Sequence, residues 1–222
     1  MISKGNRIAD VGCDHAFVSI AAVERGISES ALAMDINEGP LLGALEHIRA
    51  AGVEELVRTR LSDGLLKYEE GEADTLIMAG MGGALMQNIL TREPEKTAGF
   101  KELILSPQSQ ITEFRHFLTE NGYVITDEDM VFEDEKYYVI IKAKKAPEDN
   151  NTVMLTDAEL EYGPCLISRK HEVLKQYLIA DSEKNRTLLC KLKSQITSAA
   201  IEEKIHIVER KISLLEQVLN KF

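Results

Sequence analysis

Apolar positions along the first two thirds of the chain alternate between short continuous runs and stretches with helical spacing. The short runs predict five β-strands, with the sequences RIADVG, SALAMD, VRTRLS, ADTLIMAG and ELILSP. Helical spacing is found between the first three strands and after the last two, as in GPLLGALEHIRAAG and ALMQNILT. Repeated strand–helix units pack as a parallel sheet with helices on both faces, so five such repeats predict an α/β fold.

The pattern changes after the fifth unit. The stretch GYVITDEDMVFEDEKYYVIIKAKK contains two β-rich runs around the acidic turn EDEK, which predicts an antiparallel hairpin at the end of the sheet. Residues 146–165 are polar with few periodic apolar positions, and residues 166–222 have helical spacing throughout. We therefore expect an α/β domain over residues 1–148, a linker over 149–165 and a helical domain over 166–222.

Two apolar seams predict that the helical domain is an antiparallel coiled-coil pair. A 4-3-4-3 spacing runs along the last helix, through Val208, Ile212, Leu215, Leu219 and Phe222. The preceding helix has a second seam, formed by Leu188, Leu192 and Ile196. A break near SAAIEE separates the two helices, and we expect a tight turn there.

Charge is distributed unevenly between these regions. Residues 166–222 contain 11 Lys and Arg against 7 Asp and Glu, a net charge of +4, which leaves −15 for residues 1–165. The overall net charge of −11 disfavours nucleic-acid binding, whereas the basic tail suggests a surface for a partner. Ordinary solvent-exposed faces produce the same asymmetry, so charge alone does not decide whether the basic region binds a partner.

Cysteine usage and apolar run length indicate the compartment. Cys13, Cys165 and Cys190 are far apart and form no CxxC pair, which favours a reducing cytoplasm without structural zinc or a disulfide framework. No apolar run approaches the roughly 18 residues that a membrane helix needs. MISKGNR leads directly into the first strand, so we expect no signal peptide. These features predict a cytoplasmic protein with no membrane contact and no metal.

The first strand-to-helix turn, DVGCDHA, carries the main candidate chemistry. A dinucleotide loop needs Gly-x-Gly-x-x-Gly, but its second and third glycine places hold Asp14 and Phe17, and Asp14 would repel a pyrophosphate. S-adenosylmethionine has a sulfonium and an ammonium group, so an acidic neighbour suits it. Asp10-x-Gly12-x-Asp14-x-Ala16 keeps the first two marks of the methyltransferase pattern acidic-x-Gly-x-Gly-x-Gly. An ordinary strand–helix turn is the alternative.

Two further strand ends favour this cofactor. Asp35 ends the second strand, 23 residues after Gly12, where a carboxylate can accept both ribose hydroxyls. Asp63 ends the third strand, where it can accept the adenine amino group, and Gly64 would leave room for the ring. Together with Asp10, these aspartates fall at the edge where open sheets bind ligands. Each of them alone is also a suitable helix N-cap.

The glycine-rich stretch MAGMGG after the fourth strand predicts the substrate side of the site. Glycines allow a flat base to approach the backbone and its hydrogen-bonding groups. We assign Ala79 and Gly80 to the cofactor and Met81, Gly82 and Gly83 to the base. A flexible turn leading into a helix is the alternative.

Two other regions are candidates for substrate contact. Gln108, after the fifth strand, can read a base edge, with helix capping by the neighbouring Ser109 as the alternative. A basic outer face on the helical domain can follow the phosphates of an RNA. Its members are Arg169, Lys170, Lys175, Lys184, Arg186, Lys191 and Lys193. Self-packing that only stabilises the fold is the alternative for these helices.

This constellation resembles a known family. DVGCDHA, the GP of NEGP, SDGL, AGMGG and the EDEKYY hairpin are similar to motifs of the bacterial tRNA (adenine-N1)-methyltransferases that modify the adenine at tRNA position 22. The resemblance implies a Rossmann-like class I methyltransferase domain, a C-terminal coiled coil, S-adenosyl-L-methionine as cofactor, tRNA as partner and a cytoplasmic location. It also implies that Asp14 is catalytic, with His15 beside it. We expect the protein to be a monomer.

Two features depart from the family pattern. Family members usually begin with a basic helical stretch ahead of the first strand, whereas this chain starts almost at the strand. Family members often have Gln-Pro-Asn after the fifth strand, where this chain has Ser106-Pro107-Gln108-Ser109.

The resemblance leads to a hypothesis for Asp14. Adenine N1 has its own lone pair, so no proton has to leave before attack, and methylation places a positive charge on the base. Asp14 would accept a hydrogen bond from the N6 amine and stabilise that charge. The rest of the rate enhancement would come from holding N1 in line with the methyl group. His15 would orient Asp14, contact a phosphate or cap the helix. The alternative functions are a methyltransferase for a small molecule or protein, and a non-catalytic binding module.

Overall fold

A computed structural model describes residues 1–147, 154–194 and 198–222. Within them, seven strands form one sheet in the order β3-β2-β1-β4-β5-β7-β6. The strands are β1 Ile8–Val11, β2 Ala31–Asp35, β3 Val57–Leu61, β4 Thr75–Ala79, β5 Glu102–Ser106, β6 Tyr123–Glu133 and β7 Lys136–Lys145. β1 to β5 pair in parallel, and β7 pairs antiparallel to β5. The predicted Rossmann-like sheet with a terminal antiparallel hairpin is confirmed.

Nine helices accompany the sheet in the described ranges. They are α1 Phe17–Glu24, α2 Glu38–Ala51, α3 Gly83–Arg92, α4 Pro94–Ala98, α5 Ile111–Glu120, α6 Asp157–Tyr162, α7 Pro164–Ser168, α8 Glu172–Lys193 and α9 Ala199–Leu219. β1 and β2 are buried at every position, and β4 and β5 at every position but the last. A parallel sheet covered on both faces requires such continuous apolar runs, which explains why its strands are visible in the sequence.

The connection between β3 and β4 differs from the prediction. The predicted number of five strand–helix repeats is wrong, because residues 62–74, which follow β3, form turns and bends instead of a helix. Gly64 and Gly71 have φ angles of +57° and +82°, which break helical geometry. Tyr68 is buried beneath the connection, and its hydroxyl donates to the Ala73 carbonyl at 3.2 Å. Side-chain packing therefore orders this segment without a helix.

The chain divides into two compact units. The α/β unit contains Met1–Glu128 and Tyr138–Met154, and the helical unit contains Asp129–Tyr137 and Leu155–Phe222. The tip of the β6–β7 hairpin thus belongs to the helical unit, which the sequence did not indicate. The predicted boundary between residues 148 and 149 lies outside the described residues.

Residues 149–165, predicted to be a linker, contain helix α6 and the start of α7. Thr156 accepts a hydrogen bond from the Glu159 N–H, and the Glu159 carboxylate accepts one from the Thr156 N–H, which forms a capping box. Ala158 and Tyr162 of α6 are buried. The segment resembles a linker in sequence because it is short and polar. Its described residues from Leu155 onward nevertheless belong to the helical unit.

Helices α8 and α9 run antiparallel, as their ion pairs show. Arg186 pairs with Glu216 at 2.8 Å, and Lys193, further along α8, pairs with Glu209, earlier in α9, at 2.7 Å. The predicted α9 seam is buried at Val208 and Leu215 and partly buried at Ile212, Leu219 and Phe222.

The predicted seam of α8 is only partly correct. Leu192 is buried, but Leu188 is 42% exposed, and Ile196 lies outside the described residues. The face that α8 buries also contains Leu174, Leu178, Ser182 and Asn185. Ser182 and Asn185 are polar, so a search for apolar spacing does not include them in the buried face. For this reason the sequence assigned the seam to Leu188, which lies beside the buried face.

A buried carboxylate fixes the chain start to the sheet. Glu102 accepts hydrogen bonds from the Ser3 N–H at 2.8 Å and the Thr75 hydroxyl at 2.9 Å, and it pairs with Lys142 at 2.8 Å. Burial alone raises the pKa of Glu102, but the Lys142 ammonium and the hydrogen bonds outweigh it and lower the pKa to about 2. The ionised form therefore stabilises the fold.

We expect Glu102→Gln to lower the free energy of unfolding by about 1–3 kcal/mol, because buried donors lose a charged acceptor. The Glu102 contribution is complete above the ordinary pKa of a glutamate and is lost as the pH falls toward 2. Urea unfolding at several pH values should therefore show a weaker acid dependence in the variant than in the wild type. Glu70→Gln, at an exposed position, serves as the control; an equal change in both variants would contradict the assignment.

Candidate active site

The carboxyl ends of the parallel strands meet at one edge of the sheet. β1 lies between β2 and β4, so the strand order reverses on either side of it. Ligands of open α/β sheets bind at this switch point. The turns that follow β1, β2, β4 and β5 all reach this edge. The predicted site residues of the α/β unit lie in these turns or in the last residues of the strands before them, apart from Asp63 and Gly64, which follow β3.

Asp10 and Asp35 provide buried negative charge below this edge. Asp10 accepts a hydrogen bond from the Ser19 hydroxyl at 2.8 Å, which joins β1 to α1. Its burial, with a smaller contribution from the nearby Asp35, raises the pKa of Asp10 to about 6 although Ser19 opposes the shift. Asp35 accepts a hydrogen bond from the Asn37 N–H through one carboxylate oxygen. Two neighbouring carboxylates suit a cationic ligand and disfavour a pyrophosphate.

The turn after β1 is conformationally unusual. Gly12 has a φ of +75°, and the non-glycine residues Asp14 and Ala16 have φ angles of +49° and +59°. The N–H groups of Gly12 and Cys13 both donate to the Met34 carbonyl, which fixes the turn to β2. Left-handed non-glycine residues are costly and concentrate at functional sites. The turn therefore favours a binding role over an ordinary strand–helix connection.

Cys13 does not supply a nucleophile. The residue is buried, and burial followed by the negative charges of Asp10 and Asp35 raises the pKa of its thiol to about 12. A thiol stays protonated under these conditions, and only the thiolate is reactive. The chemistry of the turn therefore rests on its other side chains.

Asp14 directs its carboxylate toward solvent. Its side chain is 73% exposed, and one oxygen lies 3.6 Å from His15 Nε2. His15 Nδ1 is buried and has no hydrogen-bond partner among the described residues. A Cβ added to Gly43 would lie 2.8 Å from that atom, so the glycine makes room for the imidazole. His15 thus rests against α2 and stands beside the Asp14 carboxylate, the geometry expected of a residue that orients Asp14.

The loops after β4 and β5 are fastened to each other. The Gln108 N–H donates to the Met81 carbonyl at 3.0 Å, and the Gly83 N–H donates to the Ser109 carbonyl at 3.1 Å. A Cβ at Gly83 would lie 2.7 Å from that same carbonyl oxygen. Backbone packing explains the glycine at 83, whereas the sequence favoured access for a base. Gly80 has a φ of +79°, and a Cβ added there would lie 3.9 Å from the Gln108 side-chain amide nitrogen.

We expect Gly83→Ala to lower the free energy of unfolding by about 1–3 kcal/mol, because the added methyl group meets backbone that cannot move independently. Gly39→Ala is the matched control, since Gly39 also lies in the first turn of a helix and has no atom within 4 Å of an added Cβ. Urea unfolding of both variants measures the difference. Equal stabilities would show that the two loops are not tightly joined.

Asp63 and Gly64 have different surroundings from those predicted. Asp63 Oδ2 accepts a hydrogen bond from Arg92 of α3 at 2.8 Å. A Cβ at Gly64 would lie 3.1 Å from Ile89, so this glycine allows α3 to pack closely. Both contacts come from a helix more than 20 residues away in the chain, and no local pattern could have revealed them.

The gap between Gly12 and the β4 loop is narrow. A Cβ added to Gly12 would lie 2.7 Å from Met81 Cε. Met81 therefore covers the turn that was predicted to hold the cofactor, and its flexible thioether can move when a ligand enters. Ala79 and Gly80 lead into this loop from β4.

The predicted basic face of the helical unit is reduced by ion pairs. Arg186 and Lys193 pair with Glu216 and Glu209. Lys170, which has a φ of +51°, and Lys191 are exposed. Arg169 is exposed as well and ends helix α7. Fewer cations are thus available for phosphate contact than the count of basic residues indicates.

A cavity of about 300 Å³ lies at the opposite ends of the strands. Its lining includes Arg7, Leu56 and Glu72. Arg7 pairs with Asp74 at 3.1 Å, and Glu72 pairs with Arg60, so these charges are already balanced. The cavity lies at the amino ends of the strands, away from the edge where Asp10, Asp14 and Asp35 meet.

Comparison with known proteins decides the family. The model of the tRNA (adenine(22)-N(1))-methyltransferase family matches residues 8–217. The chain belongs to this family. The predicted resemblance, the enzyme class and the cofactor S-adenosyl-L-methionine are confirmed.

Individual relatives cover almost the whole methyltransferase. The tRNA (adenine(22)-N(1))-methyltransferase of Bacillus subtilis is 28% identical and covers 99% of this chain and 92% of its own. A Streptococcus pneumoniae structure in complex with S-adenosyl-L-methionine has a TM-score of 0.85 at 30% identity and covers 99% and 94% of the two chains. An M. capricolum structure in complex with S-adenosyl-homocysteine has a TM-score of 0.81 at 25% identity and covers 100% and 94%.

The described part of the methyltransferase has no helix that is long and apolar enough to cross a membrane. Its described residues also contain no group of three or more His, Cys, Asp or Glu that could hold a metal ion.

Proposed function

We propose that this methyltransferase transfers a methyl group from S-adenosyl-L-methionine to N1 of adenine 22 in tRNA, with Asp14 beside the reacting base. The observation that carries the assignment of Asp14 is its exposed carboxylate on a left-handed turn at the switch point of the sheet. Such a turn presents the carboxylate to a ligand without a helix or strand to shield it.

The side chains on the β1–β2 side of the edge fit a sulfonium nucleoside. Asp10 and Asp35 are buried carboxylates, and Asp35 has a second oxygen available beside the one that binds Asn37. We assign ribose recognition to Asp35 and ammonium recognition to Asp10, with Gly12 providing close backbone approach. The cofactor, when bound, supplies an electrophilic methyl carbon on its sulfonium.

The remaining cofactor contacts fall on β3 and β4. Asp63 binds Arg92 through Oδ2, and we assign its other carboxylate oxygen to the adenine amino group. Gly64, Ala79 and Gly80 contribute backbone at this edge. Met81 moves from Gly12 when the cofactor enters.

The protein acts on the base mainly by position and charge. The N1 lone pair of adenine forms the new bond to the methyl carbon, the sulfur–carbon bond breaks, and the bonding electrons stay on sulfur. The base gains a positive charge, which the Asp14 carboxylate stabilises through the N6 amine. His15 holds Asp14 from the α2 side, while Gly82, Gly83 and Gln108 line the loops that face the base.

The helical unit contributes the tRNA contact in this proposal. Arg169, Lys170 and Lys191 lie on its surface and suit phosphate oxygens. The α8–α9 seam is buried within one chain at Leu192 and Leu215, so the coiled coil needs no second copy and we propose a monomer. Three free cysteines support a cytoplasmic location.

An assay with two transcripts tests the proposal. The full-length protein is incubated with labelled S-adenosyl-L-methionine and an unmodified tRNA that has adenine at position 22 or guanine there. We expect 1-methyladenosine only in the first transcript after nucleoside digestion. Label on both transcripts would contradict the position, and label on neither would contradict the activity.

A further inference from the structure

Three aromatic rings gather next to Asp14. Phe17, His15 and His47 form what we term the ring cluster, with centroids 4.7 Å apart for Phe17 and His47, 5.3 Å for His15 and His47, and 5.6 Å for His15 and Phe17. His47 comes from α2, and His47 Nδ1 lies 3.4 Å from the His15 carbonyl oxygen. The cluster is therefore built from two helices and the Asp14 turn.

The ring cluster is held in place and yet open to solvent. Phe17 is 60% exposed, although it directly follows Ala16, which is fully buried. The left-handed angles of Asp14 and Ala16 place Phe17 at the start of α1 with its ring outside the core. A large exposed ring next to a strained turn stabilises the fold little, which indicates a role in binding.

We propose that the ring cluster stacks a nucleobase of the tRNA next to the adenine that is methylated. This inference rests on the proposed function. Methylation of N1 requires access to the Watson–Crick edge, so the adenine must leave its stack, and its neighbour loses a stacking partner. Phenylalanine and histidine rings are common partners for unstacked RNA bases.

The charge distribution supports a base as the occupant over a phosphate. Residues 1–165, which include the whole α/β unit, have a net charge of −15, and this negative charge repels the RNA backbone. Stacking involves the uncharged face of a base and does not depend on local positive charge. The ring cluster thus complements the lysines and arginines of the helical unit, which suit phosphates.

Substitutions at Phe17 distinguish stacking on a base from simple hydrophobic contact. We expect Phe17→Leu to raise KM for tRNA by roughly 5- to 100-fold, because an aliphatic side chain cannot stack on a base. Phe17→Trp should keep KM within about 3-fold of the wild type, since the larger ring preserves stacking. Affinity for S-adenosyl-L-methionine, measured by calorimetry, should change in neither variant, and thermal melting verifies that both fold.

Tryptophan fluorescence gives a second readout, because the chain contains no tryptophan. We expect tRNA to quench the emission of Phe17→Trp in the absence of cofactor. Leu56→Trp is the control, since Leu56 is 43% exposed and precedes β3 at the opposite edge of the sheet. Its emission should stay unchanged.

Three outcomes would overturn the inference. The first is an unchanged KM for tRNA in Phe17→Leu, and the second is equal quenching in both tryptophan variants. The third is a loss of cofactor affinity without a change in KM for tRNA, which would place the rings in the cofactor site.

The same experiments distinguish a failure of this inference from a failure of the proposed function. If the wild type methylates the tRNA while Phe17→Leu behaves identically, only the stacking role fails. If the wild type methylates no transcript, the proposed function fails, and fluorescence still reports on stacking.

Discussion

Asp14→Ala is expected to lower kcat for tRNA methylation by roughly 100- to 1,000-fold, the range seen when one preorganised charge-stabilising group is removed from an active site. The carboxylate interacts with a charge that develops on the base only as the methyl group is transferred. Its loss therefore raises the barrier of the chemical step and leaves cofactor binding nearly unchanged. Single-turnover rates with a tRNA transcript measure the first effect, and calorimetry with S-adenosyl-L-methionine measures the second.

Asp134→Ala is a suitable control for this variant. Asp134 is also an exposed aspartate with a left-handed backbone, at φ +48°, but it lies in the turn of the β6–β7 hairpin. Both substitutions force alanine into the same region of backbone space, so any general cost of strain appears in both. If Asp14→Ala loses cofactor affinity in proportion to its rate, Asp14 is a cofactor ligand and the assigned role is wrong.

Arg115→Ala is expected to destabilise the α/β unit by about 3–5 kcal/mol, because it breaks a buried ion pair by removing the cation. Arg115 of α5 donates from Nε to Glu128 of β6 at 2.8 Å, and the side chains are 1% and 0% exposed. The pair joins α5 to the strand at the edge of the sheet. Urea unfolding followed by circular dichroism measures the loss.

Two further variants establish that burial causes the effect. Lys101→Ala removes an ammonium that lies 2.9 Å from Asp74 but is 70% exposed, and it should cost less than about 1 kcal/mol. Replacing Arg115 and Glu128 together with methionine should restore most of the stability, since an apolar pair needs no compensation. A small loss in Arg115→Ala would show that water reaches Glu128 readily.

The sequence predicted the elements that depend on local patterns. β1, β2 and β4 are visible because a parallel sheet buried on both faces requires uninterrupted apolar residues. The β6–β7 hairpin is visible because its turn residues, Asp134 and Glu135, separate two β-rich runs. The turns between β3 and β4 were missed because a buried tyrosine orders them without periodicity.

Partners that come from distant segments could not be predicted. Asp63 ends its strand as expected, yet its carboxylate binds Arg92, which no spacing rule connects to it. The glycine at 64 is explained by Ile89 and the one at 83 by Ser109. Glycines in such loops predict close approach correctly, but whether a ligand or the protein itself approaches depends on the packing of α3 and α5.

The ring cluster at the candidate site also could not be predicted from the sequence. Phe17 stands where a dinucleotide loop needs its last glycine, and in the sequence it served only to exclude that ligand. His47 lies 32 residues beyond His15 and meets it only when α2 packs beside α1. Asp14 was predicted because strand ends are recognisable locally, whereas the rings around it required the tertiary structure.

A crystal structure of the protein with S-adenosyl-homocysteine tests the location of the site most directly. We predict that the ribose hydroxyls lie within hydrogen-bonding distance of the Asp35 carboxylate, that Met81 has moved away from Gly12, and that the sulfur faces Asp14. Adenosine bound instead in the cavity near Arg7 and Leu56, at the amino ends of the strands, would contradict this placement.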